Sequence, residues 1–124
     1  MDPAAMADVV SRYLSFLGAG TGEDIAGLFA ADAVVEDPVG GQILQGRDAL
    51  TSFYSRVAAA ENSAELLTLR LAGNSAAFHF RVVTTTADQV ITIEPIDVIT
   101  FDDHGLITGL RAHWSTEDVH PVAR

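Results

Sequence analysis

The hydrophobic period shifts from mostly helical to alternating along this chain, and that shift limits the fold more than any other feature. Up to Val57 the apolar residues recur mostly at helical spacing, and from about Ala64 they alternate with a period of two. Met6, Val9, Val10, Tyr13, Phe16 and Leu17 make one helical stripe, opened by Asp2 as N-cap with Pro3 at the first helical position. Gly18 and Gly20 end it. Thr21, with Asp24 three residues on, starts a short second helix whose buried edge is Ile25, Leu28 and Phe29. A third begins near Gly46-Arg47-Asp48, with Leu50, Phe53, Tyr54 and Val57 as its stripe.

Between the second and third helices lies Val34-Val35-Glu36-Asp37-Pro38-Val39-Gly40-Gly41. It is a short apolar strand that ends on a carboxylate and breaks at a proline and two glycines. Pro38 disfavours helical backbone at Asp37 and keeps it extended. Alternation sets Ala33, Val35 and Asp37 on one face, and Gln42-Ile43-Leu44 resumes as a short extended piece. Four strands follow: Glu65 to Ala72, Ser75 to Thr86, Val90 to Phe101, and Leu106 to Ser115. Gly73-Asn74, Ala87-Asp88-Gln89 and Asp102-Asp103-His104-Gly105 are their turns. Helices first and a meander of long strands last is an α+β pattern. It predicts a strongly curved, mostly antiparallel sheet folded around three N-terminal helices and enclosing one apolar pocket.

The chain has 124 residues, the size of one domain (1–124), and 48% are apolar, ordinary for a globular protein. A net charge of −10 argues against a nucleic-acid partner, because phosphate would be repelled. Apolar runs fall short of the ~18 residues that span a bilayer, and no signal-peptide pattern opens the chain. A cytoplasmic protein is expected. Cysteine is absent, which excludes disulfides and thiolate metal sites. His79, His104, His113 and His120 show no metal-ligand spacing, so neither metal nor cofactor is expected.

Four side chains invite attention. Asp37 is either a strand-end aspartate feeding a turn or a base fixed at the mouth of an apolar surface. Tyr13 lies in an apolar stripe, so its hydroxyl needs a partner, whether structural or functional. Tyr54 points inward for the same reason. On the strand Val90 to Phe101, Asp97 is the one polar residue on the face of Ile91, Ile93, Pro95, Ile99 and Phe101. Phe78, Phe80 and Val82 line the strand before, and Leu110, Ala112 and Trp114 the strand after. If these faces converge, Asp97 sits in an apolar cavity and its pKa rises, because the charged form loses its hydration. The alternative is an aspartate bonded to backbone amides or facing water. A neutral carboxylic acid is a hydrogen-bond donor. One base and two donors suit proton abstraction next to a carbonyl, the donors stabilising the enolate oxygen.

These residues resemble the ketosteroid isomerases of the NTF2-like (SnoaL-like) superfamily, whose fold is an α+β cone. The resemblance runs through Arg12-Tyr13, Ala30 to Gly40, Gly46-Arg47, Phe53-Tyr54, Ile96 to Gly105, and Ala112-His113-Trp114-Ser115. The spacings match as well, 24 positions from Tyr13 to Asp37 and 60 from Asp37 to Asp97. The resemblance implies an isomerase that moves the double bond of a 3-oxo-Δ5-steroid into conjugation. Asp37 would carry the proton from C4 to C6. Tyr13 and protonated Asp97 would bind the dienolate oxygen, and Tyr54 would orient Tyr13. Ketosteroid isomerases are themselves the standard example of a carboxylic acid kept neutral at pH 7. Phe78, Phe80, Val82, Ile99, Ala112 and Trp114 would form the substrate wall, with the Trp114 indole reaching Asp37.

Two positions depart from the best-known members. Phe29 replaces a third network tyrosine, a loss worth about 1 kcal/mol of hydrogen bonding. Glu94 replaces an aspartate and should face away from Asp97. Apolar residues such as Ile96 and Val98 on the opposite strand faces need cover, which predicts a homodimer. The competing functions are a non-catalytic steroid- or lipid-binding protein of this fold, and another enzyme such as a polyketide cyclase or epoxide hydrolase. A hydrolase would want further polar residues in the pocket to activate water, and none is expected.

Overall fold

A computed structural model describes residues 1–124. Helix α1 spans Pro3–Ala19, and the Asp2 carboxylate accepts from the Ala4 amide as its cap. Helix α2, Gly22–Ala26, carries the complete capping box of Thr21 and Asp24. It stops before Leu28 and Phe29, so Phe29 opens strand β1, Phe29–Glu36, and is not part of a helical edge. β2 is Ile43–Gln45 and α3 is Arg47–Ala58. The remaining strands are β3 Glu61–Ala72, β4 Ser75–Thr85, β5 Gln89–Ile93, β6 Ile96–Phe101, β7 Ile107–His113 and β8 Val119–Ala123.

Two expectations about the strands are corrected. The single strand from Val90 to Phe101 is two strands, broken at Glu94-Pro95, because Pro95 has no N–H to give to a ladder. The halves lie end to end along one edge of β4. β6 pairs with its first half, Phe78 opposite Asp97, and β5 with its second, Val82 opposite Ile93. The Phe80 amide bridges the gap to the Pro95 carbonyl at 3.2 Å. The second correction is β8, a further strand beyond the four expected, which pairs with β5.

All eight strands form one open, curved, mixed sheet. β3 runs antiparallel along the whole other edge of β4, and β6 continues to β7. The one parallel pairing joins β1 to β7. That pairing carries the end of β1, and with it Asp37, beside Ala112: the Val39 amide donates to the Ala112 carbonyl at 2.8 Å. Helix α1 lies on β3 and β4, and α3 packs on α2, α1 and β1. Met6, Val10, Ile25, Phe29, Leu50, Phe78, Ile99 and Leu110 fill the core between helices and sheet. No helix is long and apolar enough to cross a membrane.

Candidate active site

Helical spacing turns Tyr13 of α1 and Tyr54 of α3 into the space above the sheet. Both are buried, and their hydroxyls meet at 3.1 Å with the rings edge to face. Phe29 packs on both rings, at 6.5 Å from Tyr13 and 5.6 Å from Tyr54, and brings no hydroxyl. Burial pushes both phenol pKa values well above the ordinary range, so both stay protonated donors.

Asp97 sits on β6 between Phe78 of β4 and Ala112 of β7, facing the same interior. It is 2% exposed, and its Oδ1 is buried with no hydrogen-bond partner. Burial, and then the charge of Asp37, raises its pKa well above the usual carboxylate range. Ionised, that oxygen would be a charge removed from water with nothing to pair it, a costly state. Neutral, the carboxyl is a donor aimed into a cavity.

Asp37 follows the last residue of β1, ahead of a cis peptide bond to Pro38. Its backbone is tied down: its amide donates to the Gln42 carbonyl at 3.1 Å. Glu36, next to it, accepts from the Gly40 amide at 2.9 Å and from Arg111 Nε at 3.1 Å. The Gly40 bond, and then Arg111, holds the Glu36 pKa down, so that side chain is an anchor for the turn. The Trp114 indole Nε1–H donates to Asp37 Oδ1 at 2.7 Å. Partial burial raises the Asp37 pKa, and the indole bond opposes that rise.

These groups face one cavity of about 500 Å³, lined by sixteen residues of which ten are hydrophobic. Tyr13, Asp37, Tyr54 and Asp97 all reach it, with Phe80, Val82, Ala112 and Trp114 in its wall. Phe78 and Ile99, expected in that wall, lie one layer deeper in the core. Glu94 lies outside the lining, in an ion pair with Arg81 at 2.6 Å. Leu17, Phe53 and Val57 join the wall from the helical stripes, and Ile93 and Pro95 from the face of Asp97.

The expectation of a pocket without further polar side chains is corrected: Gln42 and Asn62 both line it. Gln42 is exposed at the mouth. Asn62 is the second residue of β3, three residues before that strand was expected to begin. Its Nδ2 donates to the carbonyls of Leu17 at 3.2 Å and Val57 at 2.8 Å, and its Oδ1 accepts from the Thr84 hydroxyl at 2.7 Å. No local sequence signal distinguishes it, since its partners come from three other elements. Chemically, the cavity is apolar, with the Tyr13 hydroxyl and the Asp97 carboxyl at one end and the Asp37 carboxyl at its flank.

Comparison with known proteins identifies the family and the fold. Residues 10–110 match the family model described as SnoaL-like domain. A curated relative, steroid Delta-isomerase from Nocardioides simplex, is 47% identical over 110 residues, 89% of each chain. Among solved structures, the epoxide hydrolase/cyclase-like enzyme SalBIII of pyran ring formation in the polyether salinomycin superposes with a TM-score of 0.88. It is 27% identical, over 95% of this chain and 96% of that one. RV0760c from Mycobacterium tuberculosis superposes with a TM-score of 0.89 at 17% identity, over 98% and 99% of the two chains, a likeness of fold alone.

Proposed function

This chain belongs to the SnoaL-like domain family, and on that premise we propose that it is a steroid Delta-isomerase converting 3-oxo-Δ5-steroids to their conjugated Δ4 isomers. Asp37, ionised, removes a proton from C4. The C4–H electron pair moves into the ring and the charge collects on the C3 oxygen of a dienolate. Tyr13 and neutral Asp97 donate to that oxygen, and Tyr54 donates to the Tyr13 hydroxyl. The carboxylic acid formed at Asp37 returns the proton to C6, which leaves the double bond between C4 and C5. The proton goes back to the substrate, so the cycle needs no redox or metal cofactor.

One observation carries the reading: the buried Asp97 Oδ1 without a partner, in the same apolar cavity as the paired tyrosine hydroxyls. A polar atom left unpaired in a native interior asks for an explanation, and a ligand oxygen supplies one. The activity of the 47% identical relative, a steroid Delta-isomerase, supports the same substrate class. Exposed Ile96 and Leu66 on the sheet suit a homodimer, which light scattering would test.

The SalBIII likeness supports a hydrolase or cyclase as second reading. Against it, both Asn62 amide hydrogens are spent on protein carbonyls and Gln42 lies exposed at the mouth, which leaves water beside Asp37 without a buried amide donor to hold it. Incubation with 5-androstene-3,17-dione separates these readings. Growth of the ultraviolet band of the conjugated enone, abolished in Asp37→Asn, is the expected result. Tight steroid binding without conversion contradicts it and favours a binding protein.

A further inference from the structure

The cavity has unlike ends. Asp97 stands opposite Phe78 on β4, and Asn62 stands opposite Thr84 on the same strand. Six residues separate the two levels, about 20 Å of extended strand. Along α1 the same direction is Tyr13 to Leu17, one turn, about 6 Å. A four-ring steroid has a length between these two separations. The Tyr13 end offers donors. The Asn62 end is otherwise walled by Leu17, Val57, Val82 and Ile93, so Asn62 is its one polar side chain.

What Asn62 can present there is settled by its partners. Both amide hydrogens are committed, to the carbonyls of Leu17 and Val57. Two carbonyl acceptors on that side also fix which side-chain atom is nitrogen. Those carbonyls belong to the last turns of α1 and α3. The C-terminal ends of two helices therefore converge here, and they carry partial negative charge. Asn62 Oδ1 accepts one bond, from Thr84, and an amide oxygen has room for two. The far end is an acceptor in an electronegative setting.

From this geometry we infer that Asn62 is a specificity-determining residue that selects ligands bearing a hydroxyl, not a carbonyl, at the end remote from the enone. A steroid with a 3-oxo group and a 17-hydroxyl matches both ends, acceptor to donors and donor to acceptor. A 17-carbonyl would bring one acceptor against another. The inference rests on the steroid reading above, and its test is arranged so that the two fail differently.

Testosterone and 4-androstene-3,17-dione are already conjugated, so neither is a substrate for the proposed reaction. They differ only in the 17-hydroxyl and 17-carbonyl. Binding is followed by quenching of Trp114, the sole tryptophan, which lines the cavity. The expected result is that testosterone binds about fivefold more tightly, the value of one hydrogen bond, and that Asn62→Ala brings the ratio to about one. A purely structural role would weaken both ligands equally and leave the ratio unchanged, which overturns the inference. So does an equal affinity in the unaltered protein. Thr84→Val keeps the Asn62 clamp and frees an oxygen lone pair, so the ratio should hold or rise. Should Asn62→Ala fail to fold, a Thr84→Val ratio that falls to one overturns the inference alone. Binding of neither steroid would sink the steroid reading itself, and this inference with it.

Discussion

The Trp114 indole donates its one N–H to Asp37 Oδ1 at 2.7 Å, although the two residues lie 77 positions apart. The parallel pairing of β1 with β7 brings them together, because each follows the end of one of those strands. The bond holds down the Asp37 pKa against the rise that burial causes. In Trp114→Phe the aromatic wall stays and the bond goes, so the pKa rises further. In the proposed mechanism ionised Asp37 is the base, so the acid limb of the kcat/KM profile should move to higher pH. At neutral pH the loss is about tenfold, as for other bonds to a charged group. A pH-rate profile of the two proteins measures both effects, and an acid limb that stays in place contradicts the assignment.

Tyr13 and Tyr54 should not be equivalent. Tyr13→Phe removes a proposed donor to the developing oxyanion and should lower kcat by about 10²–10³. Tyr54→Phe removes only the bond to the Tyr13 hydroxyl and should cost about fivefold. Steady-state kinetics on the two variants tests the order, and a larger effect at Tyr54 would reverse the proposed roles.

Buried Asp97 also makes stability depend on pH. Its folded pKa is raised above the unfolded value of about 3.9. The folded protein therefore binds the extra proton. This contribution is fully present below the unfolded value, declines as pH rises above it, and is lost once pH passes the folded value. Asp97→Asn has no such proton. Its urea midpoint should gain on that of the parent steadily as pH rises from about 4. Parallel curves for the two proteins would show Asp97 ionising as freely as a surface carboxylate.

Arg47 holds the fold and stays out of the chemistry. From the start of α3 it donates to the Ala26 carbonyl at 2.6 Å and the Phe29 carbonyl at 3.1 Å, tying the end of α2 to the start of β1. Arg47→Ala should cost about 2 kcal/mol of stability and leave kcat of the folded fraction unchanged. Urea unfolding and kinetics on the same preparation separate the two, and a kcat loss without destabilisation would contradict this placement.

What the sequence revealed followed from periodicity. Tyr13 and Tyr54 fall on apolar helical stripes, and Asp97 interrupts an apolar strand face, so their directions could be read without tertiary information. Register could not. Phe78 and Ile99 alternate correctly with Phe80 and Asp97, yet they sit deeper, because the sheet's curvature decides which inward residues reach the cavity. The break at Pro95 was visible as a proline, but it became a strand boundary only because β4 is long enough to hold both halves. β8 has His120 and Pro121 at its centre and takes its shape from pairing at the sheet edge. Asn62 gave no signal, since its meaning lies in three partners on α1, α3 and β4.

The central claim is that Asp97 is a neutral acid at working pH while Asp37 carries the charge. Infrared difference spectroscopy on protein labelled with ¹³C at the aspartate carboxyls, parent minus Asp97→Asn, reads that side chain alone. At neutral pH without ligand, the account predicts a carboxylic acid carbonyl band. The paired bands of a carboxylate at that position would contradict it.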